Sequence, residues 1–520
     1  MTDAPAPPAS PPVLETPLQL RVAMFCMMLA TFMQALDQTI AVVALPHMQG
    51  SLQAGRDEIT WVLTSYIIAS AIMTTSVGWI STRFGRKNLA TISVIGFTVT
   101  SALCGAAQSL HEMILFRLLQ GLCGASLIPL SQALVLDRYP LEKRGQVLSA
   151  WSAVVSLGPI LGPTLGAWLT EAYSWRWVFY INVPIGVLTA VGLILCLKEP
   201  PRFQNARFDA FGFVTVSLAL GALQLVLDRG TRLGWFDSSE IVLEAIIGGV
   251  ASYLFLVHIC TTRGGIFPTA LLRDRNYVFG VVLTFVVGAL IISTAALLPP
   301  YLQTLGGYSV LEAGLLLAPR GLGSLVAFQI VARVVLRTDP RHLIIGGSIL
   351  TIVTMWQMAR WTPAVDALTV GVTATIQGFG IGFMFMPTNF LCFSTLKHEL
   401  RTDGASWLTL GRSIGSALGI SITSTVISII SQEVHSELTA SLTPFNRSLS
   451  VGAQGLFWNP AIPFGAQALD DIVNWNAAVV GYSDAFLLMF FLSITAPAVA
   501  ILMRKPPAAT PSAPSAPVVE

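Results

Sequence analysis

The sequence predicts an all-α polytopic membrane protein of about fourteen transmembrane helices. Two observations carry this. Of 520 residues, 54% are hydrophobic and only 11% are charged, and the apolar residues run in blocks of about 20, enough to cross about 30 Å of hydrocarbon. A soluble domain carries roughly 25% charged residues, so the polar coat of a soluble protein is missing. The 29 Lys and Arg against 27 Asp and Glu leave a net charge of +2, with no long run of one sign to hold nucleic acid by counterion release.

The blocks place helices near 20–45, 58–81, 89–109, 112–136, 145–171 and 175–197, an N-terminal six-helix bundle within 20–199. Two linker transmembrane helices follow within 209–260, near 209–228 and 239–260. Six more, near 277–302, 310–336, 342–361, 367–392, 403–432 and 483–503, form a C-terminal six-helix bundle within 277–503. Residues 1–19 and 504–520 are rich in Pro and Ala, lack a signal-peptide or lipidation pattern, and read as disordered cytosolic tails. Sorting Lys and Arg into alternate loops puts about 19 on one side and about 6 on the other, which places both termini in the cytoplasm. Residues 433–482 stand out as a long acidic outer loop, with Glu433, Glu437, Asp470 and Asp471. Its apolar island LFWNPAIPF at 456–464 reads as a docking surface or a folded cap, and the sequon at Asn446 as chance.

The six cysteines, Cys26, Cys104, Cys123, Cys196, Cys260 and Cys392, lie in or at the edges of apolar segments without C-x-x-C spacing and read as small core hydrophobes. The six histidines are scattered, so no metal site assembles from neighbours. No nucleophile constellation is visible either, and the expectation is a protein that is not an enzyme and holds no metal or cofactor.

A charge at membrane depth costs at least about 2.5–3.5 kcal/mol and is expected to face protein or water with a partner. Asp37 lies about 12 Å inside the outer end of the first helix and Arg117 about 8 Å inside that of the fourth. At matching depths they can pair across a cavity, with Gln34 one turn below Asp37 and Gln120 one turn below Arg117. Two readings stay open: a site that loads and releases a proton as the cavity moves, or a permanent ion pair holding the bundle together. In the second bundle, Arg320 and Arg412 either line the cavity or make carbonyl contacts at a helix break. Asp209, Glu240 and Glu244 begin helices, where the dipole favours acids.

The fifth helix reads SLGPILGPTLGAWL, with Gly158, Gly162 and Gly166 on one face and Pro159 and Pro163 between them. Small residues at this spacing permit close helix approach and the prolines loosen the ladder, so a bend or pivot is expected. Gly411, Gly415 and Gly419 repeat the spacing without prolines and read as simple packing.

At this point the residues resemble the major facilitator superfamily, specifically its fourteen-helix drug:proton antiporter branch of EmrB-like multidrug exporters, over nearly the whole chain. LDQTIAVVALP at 36–46 resembles the signature L-D-x-T-x-x-x-x-A-L-P, whose Asp, here Asp37, the family implicates in proton coupling; Val42 stands where Asn is frequent. GWISTRFGRK at 78–87 resembles the inner-gate loop, keeping Gly78, Arg83, Gly85, Arg86 and Lys87, while Thr82 replaces its usual Asp. A hydroxyl caps a helix N-terminus but brings no charge to its dipole. RLLQGLCGA at 117–125 resembles the R-x-x-Q-G motif and supports Arg117 and Gln120 as members of the coupling site. Gly158, Gly162, Pro163 and Gly166 resemble the antiporter hinge associated with export, with Ala167 replacing its last Gly. WRWVFYINVPIG at 175–186, LQLVLDRGTRLGWF at 223–236, LPPYLQ at 298–303, APRGLG at 318–323, GRSIGSALG at 411–419 and LTPFN at 442–446 look like this branch too.

The resemblance implies the major facilitator fold, two six-helix bundles plus two extra helices, with a midplane cavity between the bundles. It also implies a proton-driven antiporter that exports hydrophobic drugs or toxic compounds across the bacterial inner membrane by alternating access. A periplasmic membrane-fusion adaptor and an outer-membrane channel are implied as partners. Met33, Gln34, Tyr66, Phe383, Met384 and Phe385 are the expected cavity lining, since flexible Met and aromatic rings suit varied ligands, although Met at helical spacing also reads as packing or lipid-facing. A dedicated exporter of a single metabolite or siderophore would share every motif and stays open as an alternative. An uptake symporter is disfavoured by the Gly158–Gly166 pattern.

Overall fold

A computed structural model describes residues 17–55, 58–139, 141–198, 208–262, 265–442 and 463–505. Of the expected tails, residues 1–16 and 506–520 lie outside the described residues, as do the 456–462 part of the apolar island, Asn446 and most of the LTPFN stretch, whereas residues 17–19, read as tail, already form the first turn of a helix. The chain forms α1 (Pro17–Ser51), α2 (Trp61–Thr74), α3 (Val77–Phe84), α4 (Arg86–Ala106), α5 (Leu110–Gly124), α6 (Leu127–Arg138), α7 (Leu141–Ala172), α8 (Trp177–Tyr180) and α9 (Asn182–Cys196). It continues with α10 (Ala210–Leu233), α11 (Ser239–Thr261), α12 (Ala270–Arg273), α13 (Arg275–Pro300), α14 (Val310–Val334), α15 (Pro340–Met358), α16 (Ala367–Ser394), α17 (Arg401–Ser441) and α18 (Pro463–Leu502).

Eleven helices among the described residues are long and apolar enough to span a membrane, and two bent pairs raise the number to thirteen. The other expected span is α15, a helix of 19 residues whose ends, Pro340-Arg341-His342 and Gln357, dilute its apolar middle. α2 and α3 meet at 59°. At that break Thr75 Oγ1 donates to Ile72 O at 2.7 Å and Ser76 Oγ to Met73 O at 2.9 Å, hydroxyls that compete with the helix ladder. α7 bends by 43° between Pro159 and Leu161, where Pro159 and Pro163 each remove a donor.

One expectation is corrected. The described parts of the 433–482 stretch are helix rather than loop: α17 runs for 41 residues through Ser441, and α18 for 40 residues from Pro463. Low apolarity had marked these residues as outside the membrane, but loss of apolarity does not end a helix: Glu433, Glu437 and Leu438 in one extension and Ala466, Gln467, Ala468 and Leu469 in the other are good helix formers, and Pro463 suits a first helical position. The two extensions touch where His435 Nε2 meets Asp470 Oδ1 at 3.2 Å, and just below, Ser431 Oγ of α17 donates to Ala477 O of α18 at 3.3 Å.

In the first bundle, α1 packs on α6, α7 and α9, α2 on α5, and α4 on α5 and α9; in the second, α16 packs on α13, α14 and α15, and α18 on α13, α15 and α17. The bundles meet where α7 packs on α14 and α16, and where α3 and α6 pack on α17. The extra pair lies beside this assembly. α10 packs on α2 of one bundle and α17 of the other, with Thr64 Oγ1 donating to Asp228 Oδ2 and Ser421 Oγ to Leu227 O at 2.9 Å. α11 presents Leu243 and Tyr253 outward, 58% and 67% exposed, as a lipid-facing helix does.

Of the acids expected at helix starts, Asp209 acts as a cap, and Glu240 and Glu244 of α11 act as ion-pair partners. Asp209 caps α10 by accepting from Gly212 N–H at 2.8 Å and meets His258 Nε2 of α11 at 2.9 Å. Partial burial works to raise its pKa, but the Gly212 and Ile266 N–H groups and His258 outweigh that and hold the carboxyl below its ordinary value. Glu240 and Glu244 both pair with Arg229, at 2.6 and 3.0 Å. Of the cysteines, Cys26, Cys104 and Cys392 are buried, Cys123 and Cys196 half-buried, and Cys260 on α11 is exposed, so the core-hydrophobe reading does not extend to Cys260.

Candidate functional site

Asp37 and Arg117 form a buried ion pair. Asp37 on α1 is fully buried, Arg117 on α5 is 1% exposed, and Arg117 Nη1 donates to Asp37 Oδ2 at 2.7 Å. Gln120, one turn along α5, donates from Nε2 to Asp37 Oδ1 at 3.0 Å and accepts from Arg117 Nη1 at 2.9 Å. The three polar residues expected to meet therefore do. Arg117 Nε donates to Val62 O at 3.0 Å, and the guanidinium lies over the Tyr66 ring at 4.2 Å. A buried cation is tolerable only when its donors are spent in this way.

A fourth member was not foreseen. Asn182, at the start of α9, donates from Nδ2 to Asp37 Oδ1 at 3.2 Å and to Ser101 Oγ at 3.1 Å, while its Oδ1 is buried without a partner. The available signal was an amide in the otherwise apolar run VFYINVPIG.

The expected cavity residues divide. Gln34 Oε1 accepts from Ile128 N–H at 3.1 Å, Met33 is buried in the first bundle, and Tyr66 lies under Arg117. Phe385 faces the other bundle, its ring stacked 6.4 Å from that of Trp151 on α7. Met384 and Phe383 do not share that face. Thr351 of α15 donates to Met384 Sδ at 3.6 Å, and Phe383 packs beside Gly347 of α15 and stacks on Phe379 at 5.4 Å. Consecutive helical residues point about 100° apart, so a run of three cannot line one surface.

The inner-gate loop joins both bundles on the face rich in Lys and Arg. Gly85, at φ 89°, makes the turn between α3 and α4, a conformation that suits glycine. Arg86 pairs with Asp137, and Arg401 of α17 binds the same carboxylate at 2.8 Å. Lys87 Nζ donates to Ile194 O at 2.9 Å, Arg83 is exposed in the last turn of α3, and Thr82 Oγ1 donates back to Gly78 O at 3.0 Å. Gly78 carries the Asp403 carboxylate of α17 directly against it, where a Cβ would collide. Deeper in the seam, Gln132 Nε2 donates to Asn389 Oδ1 at 2.7 Å, and Ser149 Oγ to Phe328 O at 2.5 Å. This face is closed.

The hinge glycines bring α7 onto α1: a Cβ at Gly158 would lie 2.5 Å from Ala35 C, and one at Gly166 2.7 Å from Ile40 O. A Cβ at Gly162 would strike Thr39 Oγ1. Pro163 lies inside α7 just beyond the bend.

The comparisons with known proteins agree with this architecture. The family model described as Major Facilitator Superfamily matches residues 27–420. The chain is similar to the multidrug export protein EmrB of Escherichia coli (strain K12), 36% identical over 430 residues, 82% of this chain and 84% of that protein. It is similar to the fatty acid resistance protein FarB of Neisseria gonorrhoeae, 31% identical over 482 residues, 92% of this chain and 95% of that one. The crystal structure of the human organic anion transporter MFSD10 (TETRAN) shares its fold at a TM-score of 0.58, with 14% identity, covering 92% of this chain and 100% of that one. On the family model and these identities, the chain belongs to the major facilitator superfamily, as an EmrB-like member.

Proposed function

We propose that this protein is a proton-driven antiporter that exports hydrophobic drugs or toxic compounds across the bacterial inner membrane by alternating access, with both termini in the cytoplasm. The observation that carries the reading is the fully buried Asp37 carboxylate, held by Arg117, Gln120 and Asn182. Protonation from the outer side removes the charge that Arg117 answers, and the pair loosens. α1 carries Asp37 and packs against α7, and α7 packs against α14 of the other bundle, so a shift at Asp37 has a contiguous route to the bundle seam. Proton release toward the cytoplasm then accompanies drug capture. The proton gradient drives the cycle without an enzymatic step or cofactor. The name of EmrB, a multidrug export protein, supports drug export, and that of FarB, a fatty acid resistance protein, supports a hydrophobic substrate. The extensions of α17 and α18, well beyond the roughly 20 residues a span needs, offer a periplasmic adaptor a place to dock.

The test is proton release from acidified inverted vesicles on addition of a panel of hydrophobic drugs. Drug-triggered release that scales with the amount of protein is expected. A protein that transports a drug with no proton movement would overturn the antiport reading, and a response to one compound class alone would favour a dedicated exporter.

The gate yields a second expected result. Thr82 lies one turn from Gly78, so on α3 a carboxylate at 82 would face the neighbourhood of Asp403, and Arg86 attracts Asp403 electrostatically. Thr82→Asp crowds two acids and Asp403→Asn removes one, and each is expected to slow export by about three-fold or more, while the double variant regains most of the rate. Additive losses in a transport assay would show that the two positions act independently.

A further inference from the structure

Three donors converge on the Asp37 carboxylate: Arg117 Nη1 on Oδ2, and Gln120 Nε2 and Asn182 Nδ2 on Oδ1. An ionised carboxylate only accepts, so this shell suits the charged form. A protonated carboxyl carries an O–H that must itself donate, and in a fully buried site an O–H without an acceptor is costly. The titratable groups that face Asp37 are Arg117 of α5, Tyr66 of α2 and Cys104 of α4. Arg117 has donors alone, Cys104 Sγ is turned to Gln120 Oε1 at 3.5 Å, and Tyr66 Oη points along α5 toward Gly124, one turn beyond Gln120, where a Cβ would lie 3.3 Å from it.

The two amides of the shell differ in what their oxygens do. Gln120 Oε1 accepts from Arg117 Nη1 at 2.9 Å and from Cys104 Sγ, so turning that amide over would forfeit a charge-assisted bond. Asn182 Oδ1 is buried and, among the described residues, has no partner. A buried acceptor left empty calls for a reason. Both hydrogens of Asn182 Nδ2 are spent, one on Asp37 and one on Ser101 Oγ, whose own O–H goes to Phe179 O at 2.9 Å. The oxygen and the NH2 group of an amide are nearly alike in shape, so a half-turn of the side chain needs no added space. It would set Oδ1 between Asp37 and Ser101, two groups that can each donate to it once Asp37 is protonated. The backbone meanwhile stays fixed, since Gly186, one turn along α9, lies against Thr98 of α4, where a Cβ would collide.

We infer that Asn182 is the positioning residue that answers the proton: its amide donates to Asp37 while the carboxylate is charged and turns over to accept from Asp37 once Oδ1 carries the proton. The inference rests on the proton-coupling reading of Asp37 and assigns, within it, the residue that lets one buried carboxyl exist in both forms. Asn182 itself gains and loses no proton. Gln120 stays in place as a donor in either state, and Arg117 keeps Oδ2 within reach.

The test records infrared spectra of the full chain in lipid nanodiscs from alkaline to acid pH, with asparagine isotope-labelled at its side-chain carbonyl carbon. Protonation of Asp37 is read from the carboxylic acid band that Asp37→Asn lacks, and the Asn182 carbonyl from the labelled band that Asn182→Leu lacks. Over the pH range in which Asp37 gains its proton, the Asn182 carbonyl band is expected to shift to lower frequency, because an oxygen without a partner acquires a donor. In Asp37→Asn that shift should be lost. A carbonyl band that stays in place while Asp37 titrates would overturn the inference and leave the proton reading standing, with the acid donating elsewhere. An acid band absent at every pH at which the chain stays folded would make Asp37 a permanent ion pair and overturn both. The two bands moving together in a protein that releases no protons from vesicles would keep the inference and remove the antiport reading. Thermal unfolding establishes folding, and if Asn182→Leu does not fold, Asn182→Gln assigns the band, since the glutamine carbonyl is unlabelled.

Discussion

Asp37→Asn is expected to abolish drug export against a gradient while leaving drug binding measurable. The substitution keeps the shape of the side chain and its capacity to accept from Gln120 and Asn182, but it removes the charge opposite Arg117. Breaking a buried ion pair at one partner costs about 3–5 kcal/mol, so a lowered unfolding temperature should accompany the loss. The two effects separate in Arg117→Lys. Arg117 divides its donors among Val62 O, Asp37 and Gln120, and a lysine ammonium on a flexible stem cannot reproduce that planar spread. Partial export with partial proton coupling is expected there. Export rates in proteoliposomes with an imposed pH gradient decide the matter: uphill export by Asp37→Asn at the unaltered rate would leave Asp37 as a structural ion pair.

The residues of the buried ion pair were legible in the sequence because a charge in an apolar block is expensive and stands out; Asp37 and Arg117 announce themselves by cost, and Gln120 by its place one turn away. Asn182 was harder to see, since a neutral amide at the start of a helix also reads as a cap. The gate was half legible. The departure at Thr82 is visible in the chain, but Asp403, whose carboxylate lies against Gly78 one turn before Thr82, is more than 300 residues away and meets Gly78 only when α3 packs on α17. The cavity lining was the weakest reading, because apolar identity does not reveal direction, and neighbouring Phe383, Met384 and Phe385 point to different partners. The long outer segment was misjudged for a different reason. Hydropathy reports where lipid ends, not where a helix does, so α17 and α18 continue past the point at which the sequence ceases to be apolar. Their mutual contacts stabilise the continuation.

Gly158→Val should be the most damaging substitution outside the ion pair. A Cβ there would lie 2.5 Å from Ala35 C and 2.7 Å from Leu36 N, and backbone atoms cannot step aside as a flexible side chain can. To admit valine, α7 must move off α1, and α1 carries Asp37 immediately after that contact. Overpacking of this kind costs typically about 1–3 kcal/mol, and here it also displaces the carboxylate from Arg117. Export is expected to fall by about ten-fold or more, with Gly158→Ala intermediate. Gly411 supplies the contrast. A Cβ there meets Val281 Cγ1 at 3.1 Å and backbone only at 3.9 Å, so Gly411→Val should keep export within about two-fold, because a side chain can yield. Measured side by side, the pair distinguishes a close backbone seam from glycine spacing as such. Equal damage at both positions would mean that the spacing matters more than the α1–α7 contact. An undamaged Gly158→Val would mean that these two helices separate freely during the cycle, and the route from Asp37 to the bundle seam would then have to leave α1 by way of another helix it packs against, such as α6 or α9.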